Sequence, residues 1–589
     1  MHLVMLETNG NQRYIFSSPR LRESIGASYQ LTRLREWTED ALRDTGVSAD
    51  WRCVHPPAQD RDTETDTQWV SRSSGKVILR VDTQPQARHI IGHVTRQALA
   101  QAPGMDVSGV MVKMVGDHLT ATDLKAVHAR AAEYALSRPP ALARFSQIPF
   151  LARAKDSVLP AAPPLGVKGE AQTDQEEALS LPARVKRHLA LTSKENLLDR
   201  VREGGLPDDQ LARDVPKLES LLQPQASEDS SALSKIAVIH IDGNGVGAIM
   251  SHLDKAMERV PPGDFTDVVG CERNDPDALR CFLLTVNEHL DTAVGQAFVD
   301  ACQDVATWAQ ADAEAAGREN TAVPVVPVIL GGDDVTVITS GDYALPFAAA
   351  YLRHYERRTG EDRLLRHLST LDDVGPHDAP MTAAAGVAIT GRNYPFHIAY
   401  DLAERLVAMA KTVGKASAPT RSTLSYHVLF DSTVLDAEQL LRSYESFTTR
   451  PFLLRDDAQD REGQTSWPTI CQRLGAFREH VSTEAESGAG YFPRTRATRI
   501  RRILSDAAQA KQAGDNARAE GLRKRAQNEW EDAKTVLGSD LTKAIGDIRS
   551  LFDLLELADL LPDSYLSYLS NPMPDVEPST VTRPAEDHA

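Results

Sequence analysis

At 589 residues the chain is too long for one compact core and is expected to form three or four domains. Its 41% hydrophobic and 25% charged residues are ordinary for a globular protein, and its net charge of -18 excludes nucleic-acid binding through a global basic field. No apolar run reaches the roughly 18 residues that would suggest a membrane helix. Cys53, Cys271, Cys281, Cys302 and Cys471 are scattered and include no Cys-x-x-Cys pair, so buried or incidental thiols are expected rather than a disulfide framework or a zinc knuckle. The opening Met1-His2-Leu3-Val4-Met5-Leu6-Glu7 lacks the basic start and cleavage site of a signal peptide, and a cytoplasmic location is expected.

In chain order, residues 1–150 read as a first α/β domain. A strand is predicted over 3–16, then a helix opened by Ser18 as N-cap and Pro19 in the first turn. After a polar loop near 60–66, 68–71 and 76–81 read as hairpin strands around Ser73-Ser74-Gly75. A helix over 85–102, a strand over 107–115 and a helix over 120–138 follow. Residues 151–233 combine a Pro-rich linker or long loop at 154–180, a small helical region and a polar stretch at 223–231.

A second α/β domain is expected over 234–433. It starts with the apolar strand 236–241, passes through helices over 277–315, and reaches two β-rich runs, 323–330 and 335–338, that flank Gly331-Gly332-Asp333-Asp334 as a hairpin. Then come a helix over 343–358, a strand over 381–389, a helix over 397–413 and a strand over 424–430. Residues 434–570 have a helical pattern with basic stretches at 494–502 and 523–525. Residues 571–589, rich in proline and acidic side chains, read as a disordered tail. Both α/β domains share the order strand, helix, hairpin, helix, strand.

The chemistry concentrates in the second domain. Asp333 and Asp334 are paired carboxylates after two glycines that let the backbone bend and a phosphate approach. Asp242 ends an apolar strand and enters Gly243-Asn244-Gly245, whose amides can cradle phosphates before the next helix. Clustered carboxylates are what Mg2+ or Mn2+ requires in nucleotidyl transfer. Lys411 lies off the apolar stripe of Ile398, Leu402, Leu406, Met409 and Val413, and Lys415 follows one turn later, so both are candidates to hold a triphosphate. Taken singly, each feature is ordinary turn chemistry or a solvated helix face; His240 and His397 read as packing or surface residues. No P-loop is present, since Gly414-Lys415-Ala416 lacks the first glycine and the hydroxyl residue, and His377-Asp378 lacks the companion histidines of a metal phosphohydrolase.

These pieces resemble the large subunit of type III CRISPR effector complexes, which makes cyclic oligoadenylates from ATP on a GGDD hairpin. The matching segments are Ile239-His240-Ile241-Asp242-Gly243-Asn244-Gly245, Leu330-Gly331-Gly332-Asp333-Asp334-Val335, 384–389 and 403–415. More weakly, 7–16 and 21–29 match that family's first, degenerate Palm domain. The resemblance covers about two-thirds of the chain. It implies two ferredoxin-like Palm domains of GGDEF type plus helical domains, Asp242, Asp333 and Asp334 as catalytic metal ligands, and ATP as substrate. Gly243, Asn244, Gly245, Gly331, Gly332, Lys411, Lys415, Ser28 and Lys76 are then nucleotide contacts, with the nucleotide site between two Palm domains packed face to face. Partner subunits carrying guide and target RNA would dock on the helical regions. The family often carries an N-terminal His-Asp nuclease domain and a cysteine zinc motif. Neither is found in this sequence, so no zinc is expected, DNA cleavage and ordinary complex assembly are put in doubt, and the chain can be a stand-alone derivative or a complex subunit. A GGDEF-type dinucleotide cyclase, with Val335 where that family has Glu, and an inactive scaffold subunit are the alternatives.

Overall fold

A computed structural model describes all residues except 19, 45–67, 74, 140, 146–147, 204–234, 318–322, 371–377, 392–393, 418, 430–440, 442–447, 457–464, 482–493, 547 and 571–589. The loop at 60–66, Ser74, the 223–231 stretch, His377 and the tail therefore lie outside the described residues. The remainder divides into two compact units. One is drawn from Met1–Ala306, Thr321–Leu441 and Arg450–Leu454, the other from Thr307–Asn320, Arg442–Thr449 and Arg455–Ala589.

The first unit is a mixed α/β structure built on two sheets. Strand β1 (His2–Asn9) is followed by the short α1 (Asn11–Ile15) and the long α2 (Leu21–Asp44). The hairpin β2 (Gln68–Ser73) and β3 (Lys76–Val81) leads into α3 (Gln84–Gln101), β4 (Asp106–Lys113) and α4 (Ala121–Ser137). The strands lie in the order β2-β3-β1-β4, and β1 is antiparallel to both neighbours. This is the ferredoxin-like arrangement. Leu3, Val4, Met5 and Leu6 are all buried, so central β1 is covered on both faces. The strand expected over 3–16 stops at Asn9, because Gly10 takes a left-handed conformation (φ 61°) and turns the chain into α1.

After α5 (Gln172–Glu176) and α6 (Leu181–Glu203), the order repeats. Strand β5 (Lys235–Gly243) precedes α7 (Val246–Ser251), α8 (Leu253–Arg259), α9 (Pro262–Val269) and α10 (Ala278–Ala315). Next come the hairpin β6 (Val325–Gly331) and β7 (Asp334–Ser340), α11 (Gly341–Glu361), β8 (Ala383–Gly391), α12 (Phe396–Lys415), β9 (Thr423–Val428) and β10 (Phe452–Leu453). The six strands run β10-β9-β8-β5-β7-β6. Four adjacent strands of it, β8-β5-β7-β6, repeat the topology of the first sheet. Residues of both sheets, from Leu6 and Leu79 to Val238 and Val328, belong to one hydrophobic core, and Phe16 stacks on Tyr400 with ring centroids 3.5 Å apart.

Residues 154–180, read as a linker or long loop, carry paired bridges (Arg153 with Pro160, Ala161 with Ser180) and bury Leu159 and Leu179. Helix α6 then packs on α2 through a buried ionic network. Arg187 donates to Glu23 (2.8 Å) and Asp174 (2.9 Å), and the Lys186 ammonium donates to the Tyr14 carbonyl (2.8 Å). Burial holds Lys186 down at about 8, below its ordinary range. A lysine whose folded value is lowered costs stability while it stays charged; the cost fades as pH rises from about 8 towards the unfolded value. Melting curves at pH 7.5 and 9.5 should therefore show the parent gaining on a Lys186→Met variant at the higher pH. A constant difference would assign the site no such role.

The second unit is helical: α13 (Trp467–Val481), α14 (Arg494–Gln512), α15 (Asn516–Ile545), α16 (Ile548–Ala558) and α17 (Asp563–Ser570). Asp553 is fully buried and accepts from the Thr449 amide (2.8 Å) and hydroxyl (2.7 Å). Within the basic stretch on α14, Arg499 pairs with Glu529 and Arg501 with Glu556 (3.1 Å), so part of that charge is met inside the bundle. Cys271, Cys302 and Cys471 are buried free thiols, but Cys281 is disulfide-bonded, against the expectation of scattered thiols alone. Among the described residues, no helix is long and apolar enough to cross a membrane.

Candidate active site

Strands β6 and β7 close in a two-residue turn, with Gly331 opposite Asp334 and Gly332-Asp333 at the tip. Gly332 has φ +64°, and the left-handed first position matches a type II′ turn whose twist suits the flanking strands. On the other side of β7, β5 pairs in register so that Asp242 stands directly opposite Asp334. Asp242, Asp333 and Asp334 each place a carboxylate oxygen within 4.8 Å of the others.

Burial and mutual repulsion govern these groups. Burial first, then Asp242, raises the Asp333 carboxyl above its usual range. Burial, then Asp242 and Asp333, pushes Asp334 up to about 7. A compact all-oxygen donor set that resists carrying its own negative charge fits a hard divalent cation. The positive charge within reach of this cluster is Lys411, which forms an ion pair with Asp242. Helix α12 can deliver it because Gly386 on β8 lets the helix backbone come close: a Cβ there would sit 2.2 Å from the Ala403 carbonyl oxygen. Lys415, one turn further on, is exposed.

The small-residue turn after β5 differs from the expected phosphate cradle. The Gly243 amide donates to the Asp333 carbonyl (3.3 Å) and the Asn244 amide to the Thr382 carbonyl (2.7 Å). The Asn244 side chain is buried and donates to Thr382 Oγ1 at 3.0 Å. Gly245 (φ +88°) caps α7, whose first residue, Val246, faces the cavity described below. Position 243 is nonetheless tight: a Cβ would stand 3.1 Å from Asp333 Cβ and 3.3 Å from the Tyr355 hydroxyl, a buried oxygen with no hydrogen-bond partner among the described residues. His240 packs at 5.3 Å from Tyr400 and shares a 3.0 Å hydrogen bond with Thr336. Burial lowers it to about 4, so it is neutral and structural.

The first sheet carries the corresponding hairpin with different chemistry. Ser73 is opposite Lys76, as Gly331 is opposite Asp334, and Lys76 is opposite Glu7, as Asp334 is opposite Asp242. Glu7 and Lys76 form an ion pair at 3.9 Å. An acid–base pair thus replaces the acid–acid pair, and among the described residues no cluster of carboxylates for a cation forms at this hairpin. Between the two hairpins lies a cavity of about 1560 Å³. Gly331, Gly332, Asp333 and Asp334 line it from the second sheet's hairpin, Lys76 from β3 of the first sheet, Ser28 from α2, and Lys125 and His128 from α4. Asp242, Asn244, Gly245, Lys411 and Lys415 are outside this lining. Near Ser28 on α2, Gly26 serves the packing of α6: a Cβ there would lie 1.9 Å from the Lys186 carbonyl oxygen. Lys125 and His128 escaped the sequence reading, since on an amphipathic helix they look like solvated positions.

No protein-family model matches the sequence, and no curated protein matches it. Among solved structures, the chain is similar to one in the crystal structure of a Csm1–Csm4 cassette in complex with cA4. The TM-score is 0.47 and the identity 11%, over 97% of this chain and 69% of that one. A cassette in complex with one ATP gives 0.45 and 12%, over 95% and 70%. A Csm1–Csm4 subcomplex in the type III-A CRISPR-Csm interference complex gives 0.45 and 13%, again over 95% and 70%.

Proposed function

We propose that the chain is a metal-dependent nucleotidyltransferase that joins ATP molecules into a short cyclic or linear oligoadenylate, as part of CRISPR-type antiviral signalling. The observation that carries this reading is the convergence of Asp242, Asp333 and Asp334 beside a cavity of about 1560 Å³ shared with a second, metal-incompetent hairpin. The product class follows the motif resemblance; Csm1–Csm4 cassettes in complex with ATP and with cA4 are consistent with it. A scaffold has no use for three carboxylates held against their own repulsion.

Asp242, Asp333 and Asp334 would hold Mg2+ or Mn2+, which when bound supplies activation of a 3′ hydroxyl and charge neutralisation at the α-phosphate. The chain's own part is placement. Gly331 and Gly332 add no side chains at the hairpin tip, so a phosphate can come close to the two carboxylates. Lys411 pairs with Asp242, and its ammonium would also serve a phosphate brought to these carboxylates. The Lys76 and Ser28 wall would seat a second nucleotide, so that hydroxyl and α-phosphate meet in one cavity. Incubation with ATP and Mg2+, with products read by mass spectrometry, tests the reading. A cyclic dinucleotide would favour the GGDEF-type alternative, and no product, with or without target RNA and partner subunits, would reject the enzyme.

Lys411→Ala is expected to weaken ATP binding about tenfold, the scale of one charge-assisted contact, while adenosine binding changes little. Calorimetric titration of both ligands checks this. Equal losses would mean that Lys411 acts through the shape of the site and not through the phosphates.

A further inference from the structure

Among the described residues a second cluster has metal-ligand geometry, far from the first in chemistry. Asp44 is the last residue of α2, and His89 and His93 lie on α3; one ligand atom of each falls within 4.8 Å of the others. The i,i+4 spacing stacks both imidazoles on one helix face, with ring centroids 6.2 Å apart. Asp44 Oδ2 already lies 3.1 Å from His93 Nδ1. We propose that Asp44, His89 and His93 form a site for a borderline divalent transition-metal ion such as Zn2+, Co2+ or Ni2+, separate from the carboxylate cluster.

Three observations support it. The donor set is two imidazoles and one carboxylate, which suits these ions and not Mg2+. The two helices are fixed beforehand: the buried Trp37 indole donates to Gln101 Oε1 at 2.9 Å, and Gln30 Nε2 to the Gln101 carbonyl at 3.2 Å, so α2 and α3 are pinned together further along from the cluster. The His93 ring is also oriented from behind. Gln101 Nε2 donates to Gln97 Oε1 at 2.7 Å, and Gln97 Nε2 approaches His93 Nε2 at 3.5 Å. The Gln97 amide nitrogen donates, so His93 Nε2 accepts and the ring proton sits on Nδ1 facing Asp44; an ion bound there would take the place of that proton. Asp44 is 57% exposed and His93 13%, so one side of the site is open to water as a further ligand. A bound ion would cross-link the end of α2 to α3 and stabilise the fold by mass action.

The test uses the full chain carrying Asp333→Asn and Asp334→Asn, so that the carboxylate cluster does not compete. Titration with Co2+ should give saturable uptake of one ion per chain with visible d–d absorption. His89→Ala or His93→Ala added to that background should weaken uptake about tenfold or more, and Zn2+ should raise the melting temperature of the background chain but not of these variants. His89→Gln, which keeps a polar side chain of similar reach, guards against a folding defect and should also lose uptake. No saturable uptake by the background chain, or an unchanged spectrum in the His89→Ala, His93→Ala double variant, would overturn the site.

Discussion

Changing Asp333 and Asp334 together to Asn is expected to lower product formation from ATP by about three orders of magnitude or more, since metal-assisted charge stabilisation is worth several kcal/mol. The fold should survive, and in metal-free buffer it should become more stable. Each carboxylate is held in place against burial and against its neighbours, and Asn keeps the shape while removing the charge. The gain is on the order of 1–3 kcal/mol, because Lys411 already offsets part of the repulsion through Asp242. Thermal melts with and without Mg2+ read this without any turnover assay. The parent should rise when Mg2+ is added and the variant should not. Equal Mg2+ responses, or undiminished product from the double variant, would remove the pair from the mechanism.

Much of the architecture could be read from the residues. Strand β5 announces itself as an apolar run because it is central and buried on both faces, and the β6–β7 hairpin does so because two glycines interrupt two β-rich runs. Register then does what no local pattern can: it sets Asp242 across from Asp334, and Glu7 across from Lys76. The errors have physical causes. Gly10 ended a strand that the hydrophobic pattern would have continued. Asn244 looked like a ligand contact, because a polar residue in a turn serves both ligand approach and internal packing. The structure assigns Asn244 to a buried hydrogen bond. The Lys411–Asp242 pair joins residues far apart in sequence, so helix periodicity pointed to the lysine but not to its partner. The disulfide at Cys281 depends on a pairing in space that cysteine spacing does not encode.

Lys76→Glu should cost about a hundredfold in kcat/KM for ATP although Lys76 is on the other sheet from the carboxylates. Forming a bond between two nucleotides needs both held at once, and losing the orientation of one costs on that scale. The cavity of about 1560 Å³ exceeds the roughly 300–1,000 Å³ that serves one small ligand, so it has room for two. The wall facing the carboxylates carries Lys76 on β3 and Lys125 and His128 on α4. Reversing Lys76 sets two acids opposite each other on β1 and β3 and turns an attractive wall repulsive. Lys76→Met separates the two effects: it removes the cation without creating repulsion against Glu7 and should give an intermediate loss with little change in melting temperature. Titration with a non-hydrolysable ATP analogue in Mg2+ then counts the seats. The parent should bind two per chain and Lys76→Glu one, with the retained site still dependent on Asp333 and Asp334. If the parent binds only one, or if Lys76→Met is fully active, the first sheet merely supports the second. The acceptor nucleotide would then have to come from a second copy of the chain, and activity would rise with the square of enzyme concentration.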